Sequence, residues 1–397
     1  MKSNRAFIKQ ADKYSANNYH PLPVVIARGK GVWVWDITGK KYLDMLSAYS
    51  ALNQGHCHPR VAKVVREQVG KLTLTSRAFH NDQMGFFLEK LCNLSGYEKA
   101  LPMNSGAEAV ETAIKVARKW GYKMKGVPRD RAEIIVCRNN FHGRTTTIVG
   151  FSTEAQYRDG FGPFTPGFKV IPYNDAGALR KAITKNTVAF LFEPLQGEGG
   201  VLIPDRGWLE ECQRICRKNN VLSVDDEIQT GLGRTGRLFC YKYEKVRPDI
   251  VIVGKALSAG FYPISAILCD HKIMDVLRPG DHGSTFGGNP LASAIAVAAL
   301  DVIVREKLPQ RADRMGRWFM NELRKIKSPI VKEVRGKGLL IGVELKKKAR
   351  PYCEALMKLG ILAKETHDRV VRFAPPLVIS EKELRWALPR IRKVLKR

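Results

Sequence analysis

The sequence predicts an α/β protein: a large domain on a mostly parallel central sheet flanked by helices, with a small α+β domain formed by the C-terminal part and the N-terminal segment. Three observations carry this. Short runs rich in Val, Ile and Phe, at 134–137, 188–192, 221–226 and 250–253, read as buried strands. Helical spacing lies between them, as at Val110, Ala113, Ile114 and Ala117. From about residue 297 the pattern becomes basic amphipathic helices alternating with short strands, notably 338–344 and 370–373.

Composition bounds what these elements can form. The chain of 397 residues, 44% of them hydrophobic, is long enough for two or three domains and a sizeable core. The expected division is 1–49, an N-terminal segment packing with the small domain, 50–296, the large domain, and 297–397, the small one. Residues 1–14 are studded with Lys and Arg, so no secretory leader is expected there. No apolar run reaches the ~18 residues of a membrane span, and a cytoplasmic location follows as an expectation. Eight cysteines are scattered without a Cys-x-x-Cys pair, which suits reduced, packed thiols and no metal. Lys and Arg number 67 against 38 Asp and Glu, a net charge of +29. The basic residues are spread along the chain, at 115–125, 311–324 and 390–397 among other places, with no basic tail. A solvated basic surface with salt-sensitive adhesion to polyanions is expected, and no specific nucleic-acid site.

The first residues read as a polar helix, and Asn18-Tyr19-His20-Pro21-Leu22-Pro23 as an extended piece that proline keeps out of helix. Residues 32–36 and 42–45, joined at Gly39, read as a hairpin. Tyr19 and Tyr49 fall in apolar or turn surroundings, where packing is the commoner role of a tyrosine and ligand contact the alternative. His56 and His58 flank a turn before Pro59, which suits the first turn of a helix. Asn104-Ser105-Gly106 precedes the helix that starts at Ala107; the segment is either an ordinary N-cap or a phosphate seat at the positive end of the helix dipole. Strand 134–137 runs into Phe141, His142 and Arg144, where an aromatic able to stack on a planar ring sits in a strand-end loop. Strand 188–192 delivers Glu193 and then Glu198 in a glycine-lined loop, as a solvated acid or half of a buried ion pair.

Val221–Asp226 and Ile250–Val253 matter most, because Asp226 closes the first run and Lys255 follows the second. In open α/β sheets ligands gather at such strand ends. An acid and a lysine there suit pyridoxal phosphate, the amine binding the aldehyde and the acid holding the ring nitrogen. A surface carboxylate and a surface lysine are the alternative on these two residues alone. Gly231-Leu232-Gly233-Arg234-Thr235-Gly236 matches a dinucleotide fingerprint by letter, but the acids precede it and residues 237–243 look strand-like, so a nicotinamide site is rejected. Arg372 lies inside an apolar run, where a charge that cannot be neutralised needs a carboxylate from the protein or a substrate.

Taken together, Asn18 to Pro23, residues 72–79, Asp226-Glu227-Ile228-Gln229-Thr230-Gly231, Gly254-Lys255-Ala256-Leu257-Ser258 and Arg372-Phe373-Ala374-Pro375-Pro376 closely resemble the class III pyridoxal-phosphate aminotransferases of fold type I. Within that group they are most similar to the ornithine δ-aminotransferases. The resemblance implies that Lys255 binds the cofactor and shuttles a proton, and that Asp226 pairs with its ring nitrogen. Gln229 would meet its phenolic oxygen and Phe141 its ring face. Gly106 and Ala107 would hold its phosphate, and Thr285 the phosphate of a neighbouring subunit, which implies a homodimer with shared sites. Ser105, His142 and Glu193 complete the implied cofactor set, although His142 departs from an aromatic common at that place. Tyr19, Tyr49 and Arg144 resemble the set that holds the α-amino and α-carboxylate ends of L-ornithine. Glu198 and Arg372 resemble a switch that is paired while ornithine reacts and open for 2-oxoglutarate or glutamate. The implied products are glutamate 5-semialdehyde and glutamate, by a ping-pong order. An acetylornithine or 4-aminobutyrate aminotransferase is the near alternative, and a basic nucleic-acid-binding protein on an inactive enzyme fold the remote one.

Overall fold

Runs of β-branched residues between helices give the buried strands that organise the computed structural model, which describes residues 3–396. In chain order, β1 (Ile26–Lys30), β2 (Trp33–Asp36) and β3 (Lys41–Asp44) come first. β4 (Lys99–Met103), β5 (Glu133–Cys137), β6 (Phe168–Ile171), β7 (Thr187–Phe192), β8 (Leu222–Asp226), β9 (Ile250–Val253) and β10 (Ser265–Cys269) follow. The last are β11 (Val331–Lys337), β12 (Leu340–Leu345), β13 (Ile361–Leu362), β14 (Lys364–Thr366) and β15 (Val370–Phe373).

The central sheet has the order β4-β10-β9-β8-β7-β5-β6. Strands β9, β8, β7, β5 and β6 pair in parallel, and β10 runs antiparallel to both of its neighbours. β5, β7, β8 and β9 therefore end at one edge, and β4 ends there too. One face packs against helix Gly106–Trp120 through Val110, Ile114, Ile134, Val136, Val224 and Ile252. The other is covered partly by helix Pro290–Arg305, against Val251, Val253, Ala266 and Leu268, and partly by helix Trp208–Lys218, against Ile135, Phe190 and Phe192. A second sheet, β1-β2-β3-β13, joins the N-terminal hairpin to the C-terminal region, since β13 pairs in parallel with β3. The third, β11-β12-β15-β14, is antiparallel and places Arg372 on an inner strand. Among the described residues no helix is long and apolar enough to cross a membrane.

Residues 237–243 correct the sequence reading. They form a turn and a short 3-10 helix, Cys240–Tyr243, and no strand. The Tyr241 N–H, which a strand would direct to a neighbour, donates to the buried Glu227 Oε1 at 2.9 Å. The glycine-rich run before it buries Arg234, whose guanidinium donates to Leu339 O, Pro375 O, Ser47 Oγ and Asn53 Oδ1. That motif ties the sheets together, and no phosphate is needed to explain it. His56 and His58 likewise take carboxylate partners, Asp44 at 2.7 Å and Glu306 at 3.0 Å.

Asp225 is the least expected core residue. Strand alternation turns it away from Asp226, and both of its oxygens are buried without a partner among the described residues. Burial, then the nearby Glu227, Asp226 and Glu193, push its carboxyl well above the ordinary range. The folded acid thus keeps its proton to higher pH than it does in the unfolded chain. Its unfavourable contribution is absent below about pH 4 and grows as pH rises, until the folded group itself ionises. Asp225→Val, which suits a buried strand, should raise stability by about 1–3 kcal/mol near neutrality. Urea melts at a series of pH values check this. The gain over the parent should widen with pH, and a gain that is constant or negative would refute the assignment.

Candidate active site

The strand ends at the shared edge supply one pocket of about 140 Å³, lined by Gly106, Ala107, Phe141, His142, Gly143, Glu193, Glu198, Asp226, Ile228, Gln229, Thr230 and Lys255. β5 leads into the loop carrying Phe141 and His142, β7 into Glu193 and Glu198, and β9 through Gly254 to Lys255; β8 ends on Asp226. This is where a doubly wound sheet offers a crevice.

Helix Gly106–Trp120 begins at the pocket wall. Ser105 caps it, accepting the Glu108 N–H, and Glu108 Oε2 accepts the Asn104 and Ser105 N–H groups in return. The Gly106 and Ala107 N–H groups find no protein acceptor among the described residues. They are free donors at the positive end of a 15-residue helix, as a phosphate requires. A Cβ on Gly106 would lie 3.0 Å from Ile228 Cδ1, so glycine keeps this wall open.

Charge is concentrated opposite. The Asp226 Oδ1 accepts the Ile228 N–H at 3.0 Å, and its Oδ2 lies 2.7 Å from His142 Nδ1. The His142 ring is buried, with Nε2 unpartnered, so among the described residues its hydrogen bond to Asp226 is the one polar contact that fixes it. Glu193 accepts the Phe141 N–H at 2.9 Å, and burial together with the Asp226 charge pushes its carboxyl well above the usual range. Lys255 has a left-handed backbone, φ +42°, and its amine makes no hydrogen bond or ion pair within the described residues. Burial lowers the affinity of that amine for its proton, against the opposing pull of Glu198 and Asp226.

Glu198 and Arg372 meet at 2.6 Å, Oε1 to Nη1. Burial alone would raise the Glu198 carboxyl. The Arg372 charge and hydrogen bond outweigh it, with Lys255 and Gln229 assisting, and hold the group down at about 2. Gln229 Nε2 donates to the same Oε1 at 3.0 Å, while Gln229 Oε1 is buried with no partner among the described residues. Gly197 permits this approach, because a Cβ there would fall 1.6 Å from Gln229 Oε1. Arg372 is only 1% exposed, yet its Nε and Nη2 donors have no partner among the described residues. The Tyr49 ring lies beneath it at 5.1 Å.

Six residues of the expected set lie outside the pocket lining. Ser105 borders an adjoining cavity of about 300 Å³ that also reaches Lys255. Arg372 touches the pocket through Glu198. Tyr49 stands by Arg372, whereas Tyr19 is 69% exposed and acts on Tyr49 only as a nearby group. Arg144 rests 3.6 Å over the Tyr157 ring and 5.5 Å from that of Phe141. Thr285 is exposed, on a loop outside the pocket. Sequence reasoning did not single out Ile228, Gly143 or Tyr157. Ile228 follows two acids, and that apolar interruption was the available signal; Tyr157 has none, since its meeting with Arg144 is tertiary.

These residues fit pyridoxal phosphate. Two N–H groups without an acceptor among the described residues would suit a phosphate, the Lys255 amine an aldehyde, the Asp226 carboxylate a ring nitrogen, and the Gln229 oxygen a phenolic group. The family described as aminotransferase class-III matches residues 14–395. An ornithine aminotransferase of Brevibacillus brevis is 59% identical over 395 residues, which is 100% of this chain and 99% of that one. The solved ornithine aminotransferase of Toxoplasma gondii, with partial occupancy of pyridoxal phosphate at its active site, superposes with a TM-score of 0.98 at 49% identity, covering 99% of this chain and 94% of that one. The acetylornithine aminotransferase of Elizabethkingia anophelis gives 0.91 at 49% identity, covering 100% and 99%.

Proposed function

The chain belongs to the class-III aminotransferases, and from that premise we propose that it moves the δ-amino group of L-ornithine to 2-oxoglutarate. Glutamate 5-semialdehyde leaves after the first half-reaction and glutamate after the second, in ping-pong order at one site. The observation that carries this reading is the half-satisfied Arg372, a buried guanidinium with two idle donors and one carboxylate partner beside the pocket. Pyridoxal 5′-phosphate, the family's cofactor, supplies when bound an aldehyde that takes up the amine and a ring that accepts the electrons released with a proton.

The chain's own groups do the rest. Gly106 and Ala107 would hold the phosphate through their N–H groups and Phe141 would cover one ring face, with Ser105 and Glu193 as supports. Lys255 would bind the aldehyde and then carry the proton on Nζ, a task that burial favours by raising the fraction of neutral amine. Asp226 would meet the ring nitrogen, and Gln229 the phenolic oxygen. With Glu198 closed on Arg372, no cation is offered to the substrate carboxylate at that end. Ornithine would be gripped at its α-end by Tyr19, Tyr49 and Arg144, which leaves its δ-amine toward Lys255. When Glu198 turns away, Arg372 would clamp a carboxylate of 2-oxoglutarate or glutamate in a bidentate grip.

Initial rates on ornithine, N-acetylornithine and 4-aminobutyrate test the substrate. Ornithine should give the highest kcat/KM, and a preference for the acetylated amine would overturn the assignment of the α-end residues. The exposed Thr285 is assigned to the site of a second copy, which requires a homodimer. A monomer in analytical ultracentrifugation would remove that role.

His142 is proposed as a positioning residue. His142→Phe keeps the ring volume and deletes the hydrogen bond to Asp226. A hydrogen bond to a charged group contributes about 1.5–3 kcal/mol, so cofactor affinity should fall roughly 10- to 100-fold. Equilibrium dialysis reads the affinity directly. His142→Asn, which retains a donor near the same place, should recover part of it, and equal losses in both variants would reduce His142 to packing.

A further inference from the structure

The net charge of +29 is unevenly placed. Residues 297–397 hold 26 Lys and Arg against 11 Asp and Glu, while the other 296 residues hold 41 against 27. One quarter of the chain thus carries half of the excess. Within it, helices Leu308–Arg324 and Glu381–Leu395 lie side by side and run the same way. Arg385 covers the Trp318 ring at 5.0 Å, the Glu322 carboxyl feels both Arg385 and Arg392, and Ser328 Oγ donates to Leu395 O. Their C-terminal ends therefore meet. Lys346 joins them, because its N–H bonds Ile330 O at 2.9 Å.

Five exposed cations share this tip: Lys327, Lys346, Arg392, Lys393 and Lys396. None of them is ion-paired among the described residues, and the nearby Glu322 is taken by Lys325 at 2.6 Å. Two helix C-termini favour basic residues in their last turns. Five unpaired charges on one tip nevertheless repel one another, and a polyanion would relieve that repulsion.

We infer that this tip is a docking face for the phosphate backbone of nucleic acid, separate from the catalytic pocket. Charge complementarity favours a phosphate polymer. A membrane surface is disfavoured, because no large hydrophobic side chain is exposed on either helix for insertion between lipids. Binding ignores base sequence: Arg385 covers Trp318, and Arg390 covers Trp386 at 3.8 Å, so neither ring is free to stack on a base.

The test uses the full-length, cofactor-loaded protein and fluorescence anisotropy with labelled mixed-sequence RNA and duplex DNA over a range of salt. The variant Lys327→Glu/Arg392→Glu/Lys393→Glu is compared with Lys181→Glu/Lys185→Glu/Lys218→Glu, three exposed lysines elsewhere with the same change of charge. The tip variant should bind at least about tenfold more weakly at low salt, and its log–log salt slope on duplex should drop by roughly 2–3, against less than about threefold weakening in the control. Aminotransferase activity should be equal in all three proteins. Equal weakening in both variants would leave only the general field of a basic surface and overturn the site. Absence of binding at low salt would overturn it too, as would capture by anionic phospholipid vesicles in place of nucleic acid.

Discussion

Replacing Lys255 with alanine is expected to lower turnover by roughly 10⁴-fold, the upper range for a positioned acid–base group, while leaving the fold intact. The fold should survive because the Lys255 amine makes no hydrogen bond or ion pair among the described residues that alanine would leave unmet, and burial disfavours the charged form of that amine. Alanine at φ +42° is no more strained than lysine. The melting temperature should accordingly stay level or rise. Borohydride treatment followed by peptide mapping should fix the cofactor to the peptide around residue 255 in the parent and nowhere in the variant. A Lys255→Ala protein that keeps activity within about tenfold of the parent would remove Lys255 as the proton carrier.

Arg372→Ala should separate the two half-reactions. On the proposed function the glutamate and 2-oxoglutarate half would need a cation for the second carboxylate, and truncating one partner of a buried charge pair costs about 2–5 kcal/mol, or at least roughly 30-fold. The ornithine half has no such carboxylate to hold at that end, so its single-turnover rate should change by less than about tenfold. Arg372 also stabilises Glu198, whose carboxyl would drift upward from about 2 once burial acts unopposed. Some loss of melting temperature is therefore expected, and the readout is the ratio of the two half-reaction rates, which a general loss of structure would not move. Equal losses in both halves would end the idea that the pair opens and closes.

The fold was readable because the strands that build it are buried on both faces, so β7 and β9 appear as nearly continuous apolar runs. Arg372 was readable for the opposite reason: a guanidinium inside such a run demands a carboxylate, and Glu198 meets it at 2.6 Å. Residues 237–243 misled, because a hydrophobic segment can be buried by side-chain carboxylates instead of a sheet, and Glu227 takes the backbone there. The His142 contact to Asp226 and the Arg144 contact to Tyr157 join residues 84 and 13 positions apart with no periodicity to betray them. The charge was legible as a total and as an excess over residues 297–397. Its collection at one tip depends on two helices lying parallel, which no stretch of sequence states.

The most direct measurement follows the nitrogen. L-ornithine carrying isotopic label on the δ-nitrogen or on the α-nitrogen is turned over with 2-oxoglutarate, and the glutamate formed is examined by mass spectrometry. A pocket that holds the α-end and presents the far amine to Lys255 should pass the δ-label into glutamate and leave the α-label in the semialdehyde product. Glutamate labelled from the α-position instead would mean that the substrate lies the other way round, and that Arg372 takes up its carboxylate from the start.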